Sequence, residues 1–427
     1  MFRTYDKKSQ IAQEIDKLAD MLVGNNLVQE RVCHIVENVR KSGDAAILRY
    51  AEKFDGVELS AKQLRVSQRD ISNAYKKVDG AFFKALRKSI KHIVSYHQRQ
   101  VSKGFDDRSS GINIGMRVLP LASVGIYVPA GVASYPSSVL MNAIPAKLAG
   151  VSRVVMVSPP KIDPHILVAA AEAGIGEIYR VGGAQAVAAL AFGTETVPKV
   201  DKIVGPGNIY VVLAKKLLYG TVGIDSLAGP SDILIIADGK ASPQFIAADM
   251  LAQLEHDRFA SAVLVTTSRS LAAAVSESAE EQMEELGRKD ILALSAANNG
   301  KIFLVDSMKQ AIEISNKVAP EHLEIMAKLS KKEISELTNA GAIFIGPYTP
   351  VALGDYMAGT NHVLPTGGTA RYASPLGVYD FTKRQSYVQY NKAALARVAG
   401  DIELLASIEG LDAHARSVRA RFPRQRP

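Results

Sequence analysis

The stretch RVVMVSPPKIDPHILVAAAEAGIGEIYRVG, residues 153–182, decides the fold class of this chain. Its two ends, at 153–158 and 178–182, are short β-branched apolar runs of the kind that form buried strands. The Ala-rich segment between them has the length and composition of a helix. A strand, a helix and a strand in succession predict a parallel βαβ unit.

The same alternation continues on both sides of this stretch. The first set of apolar runs lies at 124–129, 153–158, 178–182 and 202–205. A second set repeats the pattern at 232–238, 261–268, 301–306 and 342–346, with helical segments at 243–256, 269–286 and 307–316. We therefore expect an α/β fold with two similar Rossmann-like lobes, each with a parallel sheet, and a cleft between them.

The segments that flank the lobes differ from them in composition. Residues 1–120 combine helical spacing with dense charge, which predicts an N-terminal helical segment that packs on the core. The two lobes then occupy 121–230 and 231–350. Residues 351–427 begin with a long Gly- and Pro-rich loop, of a length that is usually functional, and end in a helical tail. That tail is too polar for a core of its own, so we expect it to contact a partner subunit.

Charge and composition argue against several classes of protein. The net charge is +8 over 427 residues, but the last thirteen residues hold five arginines and no acid, and without them the charge is only +3. The excess is thus a tail, and we expect no nucleic-acid partner. The alternative, a nucleic-acid-binding protein, predicts salt-dependent binding that is lost when residues 415–427 are removed.

Membrane insertion and disulfide bonding are not expected either. The sequence contains no run of eighteen apolar residues, and it becomes charged directly after its start. Its one cysteine, Cys33, lies in a helix-patterned segment, where a small buried hydrophobe is the simplest interpretation. We expect a cytoplasmic protein.

Three glycine-rich segments follow strands of the first lobe. The chain has no GxGxxG motif; the nearest match is Gly205-Pro-Gly207-Asn208, with Tyr210 where the third glycine would stand. Similar segments are Tyr127–Gly131 and Gly182–Gln185. Glycines at the carboxyl ends of adjacent parallel strands allow a ligand to approach the backbone. Each segment alone is equally consistent with a tight turn, but three in one lobe favour a nucleotide site.

A second group of residues is able to bind a metal ion. Gln253 and His256 are three residues apart on one predicted helix face, and Asp355 lies in a predicted loop; the other candidates are His322, His362 and His414. Nitrogen and oxygen donors without thiolate suit zinc, manganese or cobalt. Taken singly, each histidine is more simply an ordinary core or surface residue.

The tripeptide Pro320-Glu321-His322 places an acid beside an imidazole. Proline at a helix start predicts that this pair occupies the first turn of a helix. Such a pair is suited to two proton-transfer steps, although a surface helix that begins with an ordinary glutamate explains it equally well.

Taken together, the motifs resemble one family, that of histidinol dehydrogenase. The matching segments occur in family order between about 121 and 418: GIYVPAGVASYPSSVLMNAIPAKLAGV, VGGAQAVAALAFGT, DKIVGPGNIYV, AGPSDILIIAD, DMLAQLEHD, APEHLEI, GDYMAGTNHVLPTGGTARYASPLGV and EGLDAHARSV. Small departures are Asp232, where the family often has glutamate, and Leu254, where alanine is frequent. The resemblance implies a zinc-dependent oxidation of L-histidinol through L-histidinal to L-histidine by two NAD, the last steps of histidine biosynthesis.

The resemblance also assigns residues to roles. It implies one Zn²⁺ per subunit, held by Gln253, His256, Asp355 and His414, and shared with the substrate. The proton-transfer residues are Glu321 and His322, and NAD contacts fall on Tyr127, Gln185 and Asn208. Further substrate contacts fall on Ser231 and Glu409, with His362 as an additional candidate. The implied assembly is an intertwined homodimer in which Glu409 and His414 complete the site of the partner subunit.

Two other enzymes remain possible at this point. A paralogue with the same apparatus would oxidise another amino alcohol or diol, because family membership determines the chemistry better than the substrate. A zinc hydrolase would need an open metal position with an activated water, and it would make no use of the three glycine segments.

Overall fold

The computed structural model describes residues 1–20, 26–130 and 134–422. Contacts divide the chain into two units. The first unit contains Met1–Gln100 and Leu121–Phe381, and the second contains Val101–Pro120 together with the described residues from 382 onward. These limits differ from the predicted boundaries at 120, 230 and 350, because both lobes belong to one unit and two distant segments form the other. Gly131, Arg424 and Arg426 lie outside the described residues.

The strands and helices follow one another through both units. The strands, in chain order, are β1 (Arg3–Tyr5), β2 (Phe105–Ser109), β3 (Ile112–Pro120), β4 (Ser123–Tyr127), β5 (Arg153–Ser158), β6 (Glu177–Arg180), β7 (Lys202–Val204), β8 (Gly223–Ile224), β9 (Asp232–Ala237), β10 (Ser261–Thr266), β11 (Gly300–Leu304), β12 (His322–Met326), β13 (Ala342–Ile345) and β14 (Thr382–Tyr390). The helices are α1 (Lys8–Asp20), α2 (Asn26–Asp55), α3 (Ala61–Leu64), α4 (Gln68–Tyr75), α5 (Gly80–His97), α6 (Pro136–Leu148), α7 (Pro164–Glu172), α8 (Gly183–Phe192), α9 (Ile209–Leu218), α10 (Pro243–Leu254), α11 (Arg269–Met283), α12 (Lys289–Asn299), α13 (Met308–Val318), α14 (Lys331–Ser335), α15 (Val351–Tyr356), α16 (Lys392–Ile408) and α17 (Asp412–Arg419).

The first sheet of the first unit is parallel, with strand order β6-β5-β4-β7-β8. Its four longer strands lie where the apolar runs predict them, and helices connect them as expected of βαβ units. The two-residue strand β8 was not predicted, since two residues carry no periodicity. The predicted α/β lobe is confirmed, and its order places the end of β4 between those of β5 and β7.

The second sheet is also parallel, with strand order β1-β11-β10-β9-β12-β13. The four predicted strands are present, but two more were missed. The edge strand β1 lies in the segment that was predicted to be helical. The strand β12 occupies an inner position between β9 and β13, and all five of its residues are buried. The prediction that Pro320-Glu321-His322 begins a helix is therefore wrong.

The N-terminal helices cover the first sheet. The apolar side chains Val32, Ile35, Val36 and Val39 of α2 are buried in one cluster with Val187 and Leu190 of α8. The helix α5 contributes Leu86 and Ile93 to the cluster on the opposite face. The buried residues of α2 and α5 recur every three or four positions, which is the pattern of a helix with one buried face. This cover leaves the carboxyl ends of the strands to form the wall of a cleft.

The second unit contains an antiparallel sheet of order β14-β3-β2 with the helices α16 and α17. Two predictions fail here. Residues 105–120 are strands and not part of a helical segment, and residues 382–390 are a strand within the predicted loop and tail. The strands β2 and β14 carry polar side chains on largely exposed positions, so they lack the apolar runs that mark buried strands. Among the described residues, no helix combines the length and apolarity needed to cross a bilayer.

Candidate active site

A cleft of about 1300 Å³ opens at the carboxyl ends of the first sheet. Its walls come from the helix α2, from the loops that follow strands of the first sheet, and from the turn after α10 in the second lobe. Its lining includes Tyr127, Gln185, Asn208 and His256. The three predicted NAD contacts thus line one cavity, together with one predicted zinc ligand. This is the position at which open α/β sheets bind ligands.

The segment Gly205–Asn208 forms the turn between β7 and α9. Asn208 caps α9, because its side-chain oxygen accepts hydrogen bonds from the N–H groups of Tyr210 at 3.1 Å and Val211 at 3.3 Å. The carboxamide oxygen is used in this cap, so the NH₂ group is the part of Asn208 that remains for a ligand. The helix dipole adds a positive end at the same place.

The other two glycine segments are joined by one hydrogen bond. The hydroxyl oxygen of Tyr127 accepts the N–H of Gly183 at 3.1 Å, and Gln185 is buried in the first turn of α8. Burial raises the pKa of Tyr127 to about 12, so this phenol remains neutral at physiological pH. All three predicted NAD contacts therefore have defined positions at one edge of the sheet.

Glu321 and His322 lie at the start of β12 and are both held by the neighbouring strand β9. One oxygen of Glu321 accepts hydrogen bonds from the Ser231 hydroxyl at 2.5 Å and from the Asp232 N–H at 3.1 Å. The N–H of Glu321 donates to the Asp232 carboxylate at 2.9 Å. The Nδ1 atom of His322 is 3.0 Å from the Asp232 carbonyl oxygen, which accepts its proton. The Nε2 atom of neutral His322 is then the proton acceptor.

Burial sets the protonation states of this group. Desolvation, together with the nearby Asp355 charge, raises the pKa of Glu321 to about 8. Desolvation also raises the pKa of Asp232 to about 7, with a contribution from Glu321, and it lowers the pKa of His322. At neutral pH the site therefore offers a protonated carboxyl beside a neutral imidazole, which is one proton donor and one proton acceptor.

Asp232 is the residue whose importance was missed. The sequence shows it only as a departure from the family pattern that touches no assigned metal ligand, whereas the structure bonds it to both Glu321 and His322. Ser231, expected to contact substrate, donates to Glu321. A strand prediction for 322–326 would have been the signal, because residue 322 pairs with residue 233 in the sheet, directly next to Asp232.

The candidate metal ligands of the first unit come from three places. Gln253 lies in the last turn of α10 and is buried, and His256 follows just after the helix end instead of standing on it. Asp355 lies within the helix α15, so the prediction of a loop there is wrong. His362 Nδ1 is 3.8 Å from the Asp355 carboxylate. Desolvation lowers the pKa of His256, His322 and His362, and Asp355 opposes that shift in all three.

The buried amide of Gln253 fits a metal ion, but the set of ligands around it is incomplete. The buried amide nitrogen of Gln253 has no hydrogen-bond partner. The oxygen and nitrogen of a side-chain amide are distinguished only by their hydrogen bonds. With the two atoms of Gln253 exchanged, an oxygen would occupy this position, where it would be able to bind a cation. Within the described parts of the chain, however, no three His, Cys, Asp or Glu side chains are grouped closely enough to hold a metal.

Two predicted site residues belong to the second unit. Glu409 ends the helix α16 and His414 lies in α17, and both are exposed. Neither is buried by its own unit, as a residue with a purely structural role in that unit would be.

Comparisons with known proteins decide the family. A sequence model described as histidinol dehydrogenase matches residues 22–422. The chain belongs to the histidinol dehydrogenase family. It is 54% identical over 401 residues to a histidinol dehydrogenase of Caldanaerobacter subterraneus, with 93% of each chain covered. It is 53% identical over 399 residues to one of Bacillus cereus, with 92% of each chain covered.

The solved structures agree with this family and with the fold. The crystal structure of histidinol dehydrogenase from Elizabethkingia anophelis matches with a TM-score of 0.92 at 35% identity, over 99% of this chain and 98% of that one. The resemblance derived from the motifs is confirmed, and the chain is an oxidoreductase of this family. A zinc hydrolase is therefore excluded.

Proposed function

We propose that the cleft carries out the four-electron oxidation of L-histidinol through L-histidinal to L-histidine, with two NAD reduced in succession. The family supports the reaction. The observation that carries the site assignment is the pair Glu321 and His322. Hydrogen bonds to Asp232 hold both residues in place, Glu321 as the proton donor and His322 as the proton acceptor. Bound NAD supplies the hydride acceptor, and the three residues Tyr127, Gln185 and Asn208 are its proposed contacts.

In the first step the alcohol loses a proton and a hydride. The proton passes from the alcohol oxygen to Nε2 of His322, because Nδ1 already donates to the Asp232 carbonyl. A hydride leaves the carbon that bears this oxygen, so that a C=O double bond forms. His322 is neutral at the start, and it releases the captured proton to solvent before the next step.

In the second step the aldehyde is hydrated and oxidised. Glu321 donates its proton to the aldehyde oxygen while His322 accepts one from the attacking water, and a gem-diol forms. Glu321 then takes a proton back from the diol as the second hydride leaves. Its raised pKa suits both directions of transfer. Many aldehyde dehydrogenases form a cysteine thiohemiacetal instead. The only cysteine of this chain, Cys33, lies on α2, which covers the first sheet, whereas His322 begins β12 in the second sheet.

We also propose that Gln253, His256, Asp355 and His414 hold one zinc ion. The unpartnered amide of Gln253 and the neighbourhood of His256 and Asp355 support the first three ligands. A zinc ion held by these residues would supply a Lewis-acidic site able to orient the substrate and to retain the aldehyde between the two steps. Glu409 and Ser231 are proposed substrate contacts, with His362 as a further candidate.

The assay that tests the function measures NADH and histidine from purified protein and L-histidinol. We expect two NADH for each histidine, loss of activity on chelation, and recovery on addition of zinc. Turnover of another amino alcohol or diol but not of histidinol would reassign the substrate. Full activity after exhaustive chelation would contradict the zinc proposal. We also propose a cytoplasmic location, which is supported by the presence of a single cysteine.

A homodimer with shared sites accounts for the surface of the second unit. The side chains Val388, Leu404, Leu405 and Ile408 are each more than 60% exposed, and such a group of large apolar side chains usually marks an interface. The exposed positions of Glu409 and His414 at the end of this surface support their contribution to the site of a second copy.

Shared sites predict complementation between two inactive variants. In a heterodimer of His322→Ala and His414→Ala, one site carries both changes and the other carries neither. We expect each homodimer to be inactive and the heterodimer, co-expressed and isolated with two different tags, to recover about half of the wild-type activity. An inactive heterodimer would mean that His414 serves its own subunit.

A further inference from the structure

The buried ion pair of Lys215 and Asp225 lies beneath the segment Gly205–Asn208 and has no role in the chemistry described above. We propose that this pair is a positioning element that holds the Gly205–Asn208 segment in the conformation that binds NAD. The proposal rests on the proposed function, because that function assigns Asn208 to the dinucleotide. Neither Lys215 nor Asp225 lines the cleft, so both would act through the backbone of Gly205.

Both polar groups of Gly205 are bonded to the pair. The Asp225 carboxylate accepts the Gly205 N–H at 2.7 Å through one oxygen. Its other oxygen accepts a hydrogen bond from the Lys215 ammonium, which also donates to the Gly205 carbonyl at 3.2 Å. Lys215 lies on α9, whose first turn Asn208 caps, and Asp225 directly follows β8. The glycine is thus held from both sides, by the helix α9 and by the residue that follows β8.

Gly205 is a residue whose conformation needs such support. Its φ is +110°, and a Cβ atom there would lie 2.2 Å from the carbonyl oxygen of Tyr127. Only glycine adopts this conformation without strain, and glycine is also the residue with the most alternatives to it. The close approach connects the segment to Tyr127, a second proposed NAD contact. A shift of Gly205 would therefore move Asn208 relative to Tyr127.

The burial of the pair argues for a role beyond stability. The two side chains are 2% and 5% exposed. A buried ion pair is costly to desolvate, and apolar residues of similar volume in its place are often as stable or more stable. A pair retained in such a position is better explained by the geometry that it imposes on its hydrogen-bond partners. Here the partner is the backbone of the proposed NAD loop.

A second ion pair of the first sheet differs from Lys215–Asp225 in its hydrogen bonds. Lys202 of the strand β7 and Asp380 form an ion pair, and the Lys202 ammonium donates to the Asp380 carbonyl at 2.7 Å. That pair has no bond to the Gly205–Asn208 segment. The charge of Asp225 also contributes to raising the pKa of Asp380, so Asp225 without Lys215 would be a buried charge within the field of a second carboxylate. Removal of Lys215 alone is thus expected to impair folding.

The test uses the double variant Lys215→Met/Asp225→Leu, which replaces the pair with apolar side chains and leaves no buried charge. Its matched control is Lys301→Met/Glu14→Leu, which removes a similarly buried pair at 2.7 Å between β11 of the second sheet and the helix α1; neither residue lines the cleft. We expect the first variant to weaken NAD binding, measured by calorimetry, by about ten- to a hundredfold. Its KM for histidinol and its zinc content should remain those of the wild type, and the control should bind NAD normally.

The possible results separate the two proposals. Unchanged NAD affinity in Lys215→Met/Asp225→Leu would overturn the positioning role, and so would a loss of NAD affinity, histidinol affinity and zinc that occur together. A control variant with the same selective loss of NAD affinity would overturn it as well. Calorimetry with NAD needs no turnover. If the wild type binds NAD but does not oxidise histidinol, the proposed function fails and the positioning role is still decided.

Discussion

The variant His322→Ala should keep its zinc and lose about 10²- to 10⁴-fold in kcat, the range that a positioned general base contributes. The physical reason is the orientation of the imidazole. Its Nδ1 atom is 3.0 Å from the Asp232 carbonyl oxygen, which leaves Nε2 as the only acceptor for the alcohol proton. His322 is not among the proposed zinc ligands. The measurement is steady-state NADH production together with the metal content of the purified variant.

The control for His322→Ala is Glu321→Gln, which changes the neighbouring proton donor. Glutamine preserves the acceptor for Ser231 and Asp232 but cannot donate and recover a proton. We expect the first hydride transfer to continue and hydration to slow, so within the first turnover one NADH per site should form before histidine appears, and the ratio of NADH to histidine should then exceed two. A ratio that remains at two with both variants would contradict the separate roles of the two residues.

The pH dependence follows from the same two groups. Burial lowers the pKa of His322 below its ordinary value of 6.5, so the acid-side loss of activity should appear only below that pH. Burial raises the pKa of Glu321 to about 8, so the proton that hydration needs is lost as the pH rises through 8. Histidine formation should therefore fall on the alkaline side in the wild type, and that fall should be absent in Glu321→Gln.

The variants His256→Ala and Asp355→Ala should both lose zinc and, with it, activity. Each removes one of four proposed ligands, and since changes in the surroundings of a ligand already weaken metal affinity by about 10- to 100-fold, loss of a ligand should cost at least that. Metal content after gel filtration, and activity as a function of added zinc, measure the effect. Partial rescue by high zinc would show that the remaining ligands still form a site.

A suitable control for these two variants is Asp257→Ala. Asp257 is next to His256 and lines the same cleft, but it is not a proposed ligand. The variant Asp257→Ala should therefore retain zinc. Equal metal loss in His256→Ala, Asp355→Ala and His322→Ala would show that ligands and proton-transfer residues have been exchanged in the assignment.

The sequence-based prediction missed the strand β12 for a physical reason. The strand β12 carries His322 and Glu324 at buried positions, so its sequence lacks the apolar run by which inner parallel strands are recognised. Glu324 is tolerated there because one of its oxygens accepts the N–H of Val351 at the start of α15, and burial beside Asp249 raises its pKa to about 9. Both interactions join segments that are far apart in the chain.

The sequence by itself determined the family, the two parallel sheets and the three glycine segments that line one cleft. Apolar periodicity and turn residues are local properties, so each strand and turn can be recognised without its neighbours. Only the tertiary structure decided that Asp232 holds Glu321 and His322, residues 89 and 90 positions away, and that Lys215 and Asp225 hold Gly205. Those contacts depend on the register of adjacent strands and on burial, which exist only after the chain has folded.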